Sequence, residues 1–331
     1  MNSFLYRRHS YIIRDYEHAL NQDQLSVVHH PGGPMLVLAG AGTGKTRTVT
    51  YRVARLLETN VNPENILLLT FTNKAAKEMM QRVTCLVGKN IHGLWGGTFH
   101  HIGNVILRIN GSLVGCRKDF LILDRQDTKE LFSQCLTEMK SRDSVLPRSP
   151  VLCRIYSLMK NRENSAEEII PFVYPRFEHI IDEIRALFGE YEKKKYALNL
   201  VDFDDLLTQW KRLLLEHERV RDRYAEKFQH ILVDEYQDTN KIQAEIVDLL
   251  SARHRNLMVV GDDAQSIYSF RGADFDNILR FPERYPDAAV FSLTINYRST
   301  PEILYLANQS ITNNIRQFQK DLSSVKNTSS L

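Results

Sequence analysis

Ala39-Gly40-Ala41-Gly42-Thr43-Gly44-Lys45-Thr46 follows the apolar run Met35–Ala39 and precedes a stretch of helical character. The eight residues fit the phosphate-binding loop pattern, with Ala39 where the strict form has glycine. Glycines let the main chain wrap phosphate oxygens with its amides pointing inward. Lys45 is placed to reach the β- and γ-phosphates of a nucleotide, and Thr46 to ligate Mg²⁺. A strand before the loop and a helix after it add a helix N-terminus, which favours an anion. Ala39, Gly40, Ala41, Gly42, Thr43, Gly44, Lys45 and Thr46 are therefore the first candidate nucleotide contacts. The plainer alternative is a glycine-rich strand–helix turn, which the strand context disfavours.

A second element lies far downstream. Residues 231–238 read Ile-Leu-Val-Asp-Glu-Tyr-Gln-Asp, an apolar strand ending in carboxylates. Asp234 is expected to hold Mg²⁺ through water, and Glu235 to orient and deprotonate an attacking water. Asp-Glu after a strand is common by itself, but the glycine loop supplies the other half of one mechanism. Hydrolysis of ATP or GTP follows from the pair. Apolar runs also occur at Ile66–Thr70, Leu257–Gly261 and Ala289–Leu293, each bounded by polar residues or glycine. Helical patterns follow most of them, which predicts an α/β fold on a parallel sheet. Ala75, Met79 and Val83, with Ala76, Met80 and Val87, fall on one face of the helix after the second strand and are read as core. Between residues 111 and 199 the pattern turns helical throughout, as in Ile180, Ile184, Leu187 and Tyr191. A helical subdomain inserted into the α/β domain is expected there, with the sheet resuming at residue 231.

With 331 residues, 43% hydrophobic and 25% charged, the chain has globular composition and the length of about two domains. Disorder of the whole chain is excluded. A net charge of +3 neither requires nor excludes a nucleic-acid groove. Cys85, Cys116, Cys135 and Cys153 form no Cys-x-x-Cys pair, which argues against zinc and for reduced thiols. No apolar run is long enough to cross a bilayer, and the N-terminus lacks a signal-peptide core. The expectation is a soluble, cytoplasmic protein without a membrane partner.

Further stretches fall in order around the two elements. Residues 20–24 read Leu-Asn-Gln-Asp-Gln, 70–76 Thr-Phe-Thr-Asn-Lys-Ala-Ala, 97–100 Gly-Thr-Phe-His and 202–207 Asp-Phe-Asp-Asp-Leu-Leu. Residues 260–273 read Val-Gly-Asp-Asp-Ala-Gln-Ser-Ile-Tyr-Ser-Phe-Arg-Gly-Ala, and 296–300 Asn-Tyr-Arg-Ser-Thr. The series resembles the motif series of UvrD/Rep-type superfamily 1 DNA helicases, over about residues 20–320. The resemblance implies a P-loop NTPase fold, a RecA-like parallel sheet with an inserted all-helical subdomain, ATP and Mg²⁺ as cofactors, and single-stranded DNA as partner. It implies that Gln24 reads the adenine edge, that Arg47 lies near the nucleotide and that Tyr297 stacks on adenine. Lys45, Asp234, Glu235, Gln265 and Arg298 become the catalytic set, with Gln265 and Arg298 at the γ-phosphate and Thr46 and Asp234 on the metal. Phe71, Asn73, Thr98, His100, Tyr268, Phe270 and Arg271 are implied to face single-stranded DNA, where aromatic faces suit sequence-independent stacking. The chain departs from the family pattern at His101, where Ser is usual, at Phe270, where many relatives have Trp, and at Ile295, where Gln is usual.

The implied division is a discontinuous RecA-like ATP-binding motor domain from residues 1–110 and 200–291. Residues 111–199 would be the helical insertion, and 292–331 the start of a second motor domain. That second domain carries the family's motifs V and VI, and nothing after Arg298 resembles either. The implied activity is that of an ATP-dependent 3′→5′ DNA helicase, of which this chain holds the first motor part. The alternative is an incomplete motor that binds ATP and DNA without unwinding, or one needing a second polypeptide to supply the missing domain. A small-molecule kinase on the same loop is disfavoured by the Asp-Glu-x-Gln-Asp form. Thr300-Pro301-Glu302 reads as a helix start, with Leu304, Ala307, Ile311, Ile315 and Phe318 as one apolar stripe.

Overall fold

The computed structural model describes residues 15–88, 91–139, 146–266, 274, 276–311, 313–314, 317–318 and 320–326. Tyr268, Phe270, Arg271 and Ile315 lie outside the described residues. The strands are β1 (Met35–Ala39), β2 (Ile66–Thr70), β3 (Trp95–Thr98), β4 (Leu121–Ile122), β5 (Leu200–Val201), β6 (His230–Val233), β7 (Leu257–Gly261), β8 (Ala289–Leu293), β9 (Ile295–Asn296) and β10 (Ser323–Ser324). Six of them form one sheet in the order β3-β2-β6-β7-β1-β8. Every pairing in it is parallel, with Val37 of β1 opposite Val260 of β7 and Phe291 of β8.

Alternation of side chains splits the core in two. Leu36, Leu38, Ile231, Val233, Leu257 and Val259 point to one face, under the helices Phe99–Asn110, Phe203–Glu216 and Lys241–Ser251. Met35, Val37, Leu232, Met258 and Val260 point to the other, under Lys45–Glu58 and Asn73–Val87. Four of the five expected strands match the sequence reading residue for residue; β1, β2 and β7 are buried on both faces and so read as continuous apolar runs, whereas the edge strand β8 alternates, with Val290 and Ser292 exposed. The fifth ends at Val233, one residue before Asp234. β3 lies outside the expected set. Its Gly96 and Gly97 carry no strand propensity, and a Cβ on Gly96 would run into Met80 of the neighbouring helix.

Helices Arg125–Glu138, Ser149–Arg162, Ala166–Val173 and Ile181–Leu198 enclose a separate core of Phe132, Leu152, Ile155, Ile170, Ile184 and Tyr191. That core takes in Leu123, whereas Val114, Cys116 and Phe120 pack with the sheet. β4 and β5 pair in parallel where the chain enters and leaves the unit. Lys195 is buried there at 2% exposure and donates to Asp202 Oδ2 at 2.8 Å and Asp205 Oδ2 at 2.6 Å.

The C-terminal stripe departs from expectation. The helix ends at Ile311, Leu304 alone of the described stripe residues is fully buried, and Ala307 is exposed. Phe318 packs against the core from a loop instead. Among the described residues no helix is long and apolar enough to cross a membrane.

Candidate nucleotide-binding and catalytic site

In a parallel sheet all carboxyl ends meet at one edge, and ligands bind in the crevice there. At that edge β1 runs into the glycine loop, β6 into Asp234 and Glu235, β7 into Asp262 and Asp263, and β2 into Phe71. Gly42 and Gly44 take left-handed φ of 80° and 88°, so the loop turns twice before Lys45 opens its helix. A Cβ on Gly42 would lie 2.6 Å from Arg298 Cβ, so glycine here provides room as well as backbone freedom. Thr43 is fully buried and donates to the Gly40 carbonyl at 2.8 Å.

Gln24 is also buried. Its amide donates to the Thr43 carbonyl at 3.0 Å and accepts from the Asn21 amide at 3.3 Å, bracing the loop from behind. Tyr297 donates its backbone N–H to the Gly42 carbonyl at 2.9 Å, and its exposed ring carries a hydroxyl bonded to Asn21 at 2.9 Å. Arg47 is exposed, with its guanidinium on the Ala19 carbonyl at 2.6 Å and over the Tyr51 ring. Ala39 is buried, Ala41 exposed and Thr46 half-buried at the first turn of the helix. Arg298 is exposed beside the loop.

Lys45 donates to Glu235 Oε2 at 2.8 Å across the crevice. Gln237 donates to the same oxygen at 2.8 Å and accepts from the Asp262 amide at 3.0 Å, tying the β6 end to the β7 end. Gln265 donates to Asp262 Oδ2, so it leans on its own loop. Glu235 itself sits in the left-handed region at φ 53°.

Asp234 is 3% exposed, and its carboxylate accepts the Glu235 amide at 3.0 Å. Burial pushes its carboxyl up to about 7, with the Glu235 charge adding to the rise and Lys45 opposing it. A buried acid in this condition calls for a cation to stay ionised. The Asp234 carboxylate and the Thr46 hydroxyl are both hard oxygen donors, the type that Mg²⁺ takes.

The pairing of β2 with β3 sets Thr70 beside Thr98, so the expected DNA-facing residues Phe71, Asn73, Thr98 and His100 gather on two neighbouring strand ends. Thr98 is buried, caps its helix by accepting from the His101 amide at 3.2 Å, and approaches Asn73 at 3.4 Å. Phe71 is half-buried and Asn73 exposed. Burial lowers the His100 imidazole to about 4, and its ring meets Phe203 edge-on. It is neutral near pH 7 and offers hydrogen bonds, not charge.

Sequence reasoning missed three residues that hold the site. Asn296, 1% exposed, donates to the Ala41 carbonyl at 2.6 Å and accepts from the Arg298 and Ser299 amides at 2.8 Å. The signal available was an Asn two residues before an Arg, able to fold an Asx-turn. Asp262 anchors Gln265. Lys320 bonds Asp262 at 2.5 Å and also Asp263, holding the C-terminal segment on the β7 end; nothing in the local sequence announces that contact.

A parallel sheet with a glycine loop after one strand and paired acids after another defines a P-loop nucleotide hydrolase fold. The family model for the UvrD/REP helicase N-terminal domain matches residues 20–286. The chain belongs to that family. It is 40% identical to the ATP-dependent DNA helicase PcrA of Bacillus subtilis (strain 168) over 314 residues, 95% of this chain and 42% of the relative. Against proteins of the same description from Staphylococcus epidermidis and Staphylococcus aureus the figures are 40% and 39%, each over 92% of this chain and 41% of the relative. The chain thus spans about two fifths of the length of the curated relatives it matches.

Proposed function

We propose that this chain is the ATP-hydrolysing first motor portion of a 3′→5′ DNA helicase, acting on single-stranded DNA in the cytoplasm. The observation that carries the proposal is the meeting of Lys45 and Glu235 across the crevice, with buried Asp234 beside them. Lys45 and the amides of Gly42–Lys45 would hold the β- and γ-phosphates, and Arg298 the γ-phosphate from the far side. Thr46 and Asp234 would hold Mg²⁺, which would supply positive charge to the phosphates. When the triphosphate takes Lys45, the Glu235 carboxylate is released to orient the attacking water and accept its proton. Gln237 keeps that carboxylate in register with Asp262 and so with Gln265. Phe71, Asn73, Thr98 and His100 would contact the strand at the same sheet edge. Residues 111–199 would act as the inserted subdomain, and the segment from β9 onward would open the second motor domain, β8 belonging to the first sheet through Leu293.

ATP turnover measured with and without single-stranded DNA, beside Lys45→Ala, tests this reading. DNA-stimulated hydrolysis lost in the variant is the expected result. Turnover untouched by Lys45→Ala would overturn the site. Nucleotide binding without turnover would favour the alternative, a motor that needs its second domain from another polypeptide.

A further inference from the structure

The chain segment after the paired acids is held by two different parts of the molecule. Thr239 offers its carbonyl to Asn277 Nδ2 at 2.9 Å and to the Asp274 amide at 3.0 Å, on the return from the β7 loop. The next residue, Asn240, caps the helix Lys241–Ser251 through a reciprocal pair with Gln243. Its side-chain N–H reaches out of that pair and donates to Asn161 Oδ1 at 2.6 Å. Asn161 lies in the last turn of Ser149–Arg162, a helix of the separate helical core, 79 residues away in sequence. Asn161 is buried, and its own N–H groups go to Asp204 Oδ1 at 2.6 Å and to the Ser157 carbonyl at 2.8 Å. Asp204 sits between Asp202 and Asp205, the two carboxylates that hold Lys195. One amide therefore joins the segment after the paired acids to the root of the helical unit. The ion pairs around it, Lys211 with Glu163 and Glu245, are more exposed and act at the rim.

We infer that Asn161 is a positioning residue for the nucleotide site. It passes displacement of the Glu235–Asn240 segment to the helical unit, and so couples nucleotide occupancy to the unit's attitude. A buried amide suits the task. Both its donor and its acceptor are committed, so the segment cannot shift without breaking a desolvated hydrogen bond or carrying Asn161 along. The inference rests on the nucleotide reading above, and its test separates the two.

Amide hydrogen exchange of the whole chain with and without Mg-ADP reads both ends of the path. Protection of residues 40–48 reports the nucleotide site itself. Protection of residues 157–164 and 203–207 by at least about fivefold, the low end of ordinary coupling, is expected in the unaltered protein. Asn161→Ala should abolish the second response and keep the first, while Lys211→Ala should keep both. A purely structural role would speed exchange equally with and without nucleotide. If Mg-ADP protects 40–48 in the unaltered protein but leaves 157–164 and 203–207 unchanged, the inference falls and the nucleotide site stands. The inference falls in the same way if Asn161→Ala retains the response, or if Lys211→Ala loses it as fully. No protection at 40–48 would overturn the nucleotide reading, and this inference with it. An absent response in the unaltered protein overturns the inference even if Asn161→Ala does not fold.

Discussion

Among the described residues, Lys195 and Lys45 are both buried against carboxylates, and they are satisfied to different degrees. Lys195 meets Asp202, Asp205 and Glu192 and lies 4.7 Å from the centre of the Tyr191 ring. Burial works to lower its pKa, and the surrounding carboxylates overcome that and raise it. Lys45 has a single described ion pair, to a partly exposed Glu235, while the neighbouring Asp234 is held near neutrality by burial. The first group is closed and complete. The second pairs one lysine with one carboxylate and faces an open edge. A lone pair at an open crevice can be exchanged for a ligand, and a cluster closed on all sides can only hold parts together.

Four substitutions separate the two descriptions. Lys45→Ala should lower ATP turnover by at least about 10²-fold, the scale for losing a preorganised charge stabiliser. Urea denaturation should show its stability nearly unchanged. Lys195→Met should do the reverse: stability should drop by about 3–5 kcal/mol, because Asp202 and Asp205 are left buried without a cation. Its Mg-ADP affinity should hold, and a loss under about 1 kcal/mol would mean that the cluster is not closed. Gly42→Ala is a smaller disturbance of the open site. The left-handed backbone costs about 1–2 kcal/mol for an alanine, and the new Cβ meets Arg298 in addition. Nucleotide binding should weaken more than thermal stability falls. The least effect is expected from acid at Glu192. Burial tends to raise its pKa, but Lys195 and Lys160 bring it down to about 2. A depressed carboxyl contributes stability that is present above its unfolded value of 4.5 and lost as pH falls towards 2. Glu192→Gln should flatten the pH dependence of unfolding in that window, and an unchanged slope would remove Glu192 from the cluster.

The open site was the more legible of the two in the sequence. Loop chemistry is local: the glycines, Lys45 and Thr46 are adjacent, and Asp234-Glu235 ends an apolar run, so residue type and spacing carry the meaning. What lay beyond reach depends on partners far apart in the chain. Asn296 cinches Ala41, Gln237 joins Asp262, and Asn240 meets Asn161, each across more than 20 residues. Nothing in a string of residues ranks one such pairing above another. β3 escaped for a different reason: Gly96 and Gly97 carry no strand propensity, and pairing with β2, a tertiary demand, overrides it. The C-terminal stripe had helical period, but the chain leaves the helix at Ile311 and Phe318 is used from a loop.

Glu235 occupies a backbone conformation that asparagine or glycine would adopt more cheaply. Exchanging it for either should relieve that strain, but it also takes from Lys45 its single described ion pair and from Gln237 its acceptor. A laboratory library screened for thermal tolerance alone would therefore weigh that relief against the lost pair, and would be blind to the acid that the proposed hydrolysis needs. Stability screens of this chain need a turnover readout alongside, or the acid at position 235 can be lost unnoticed.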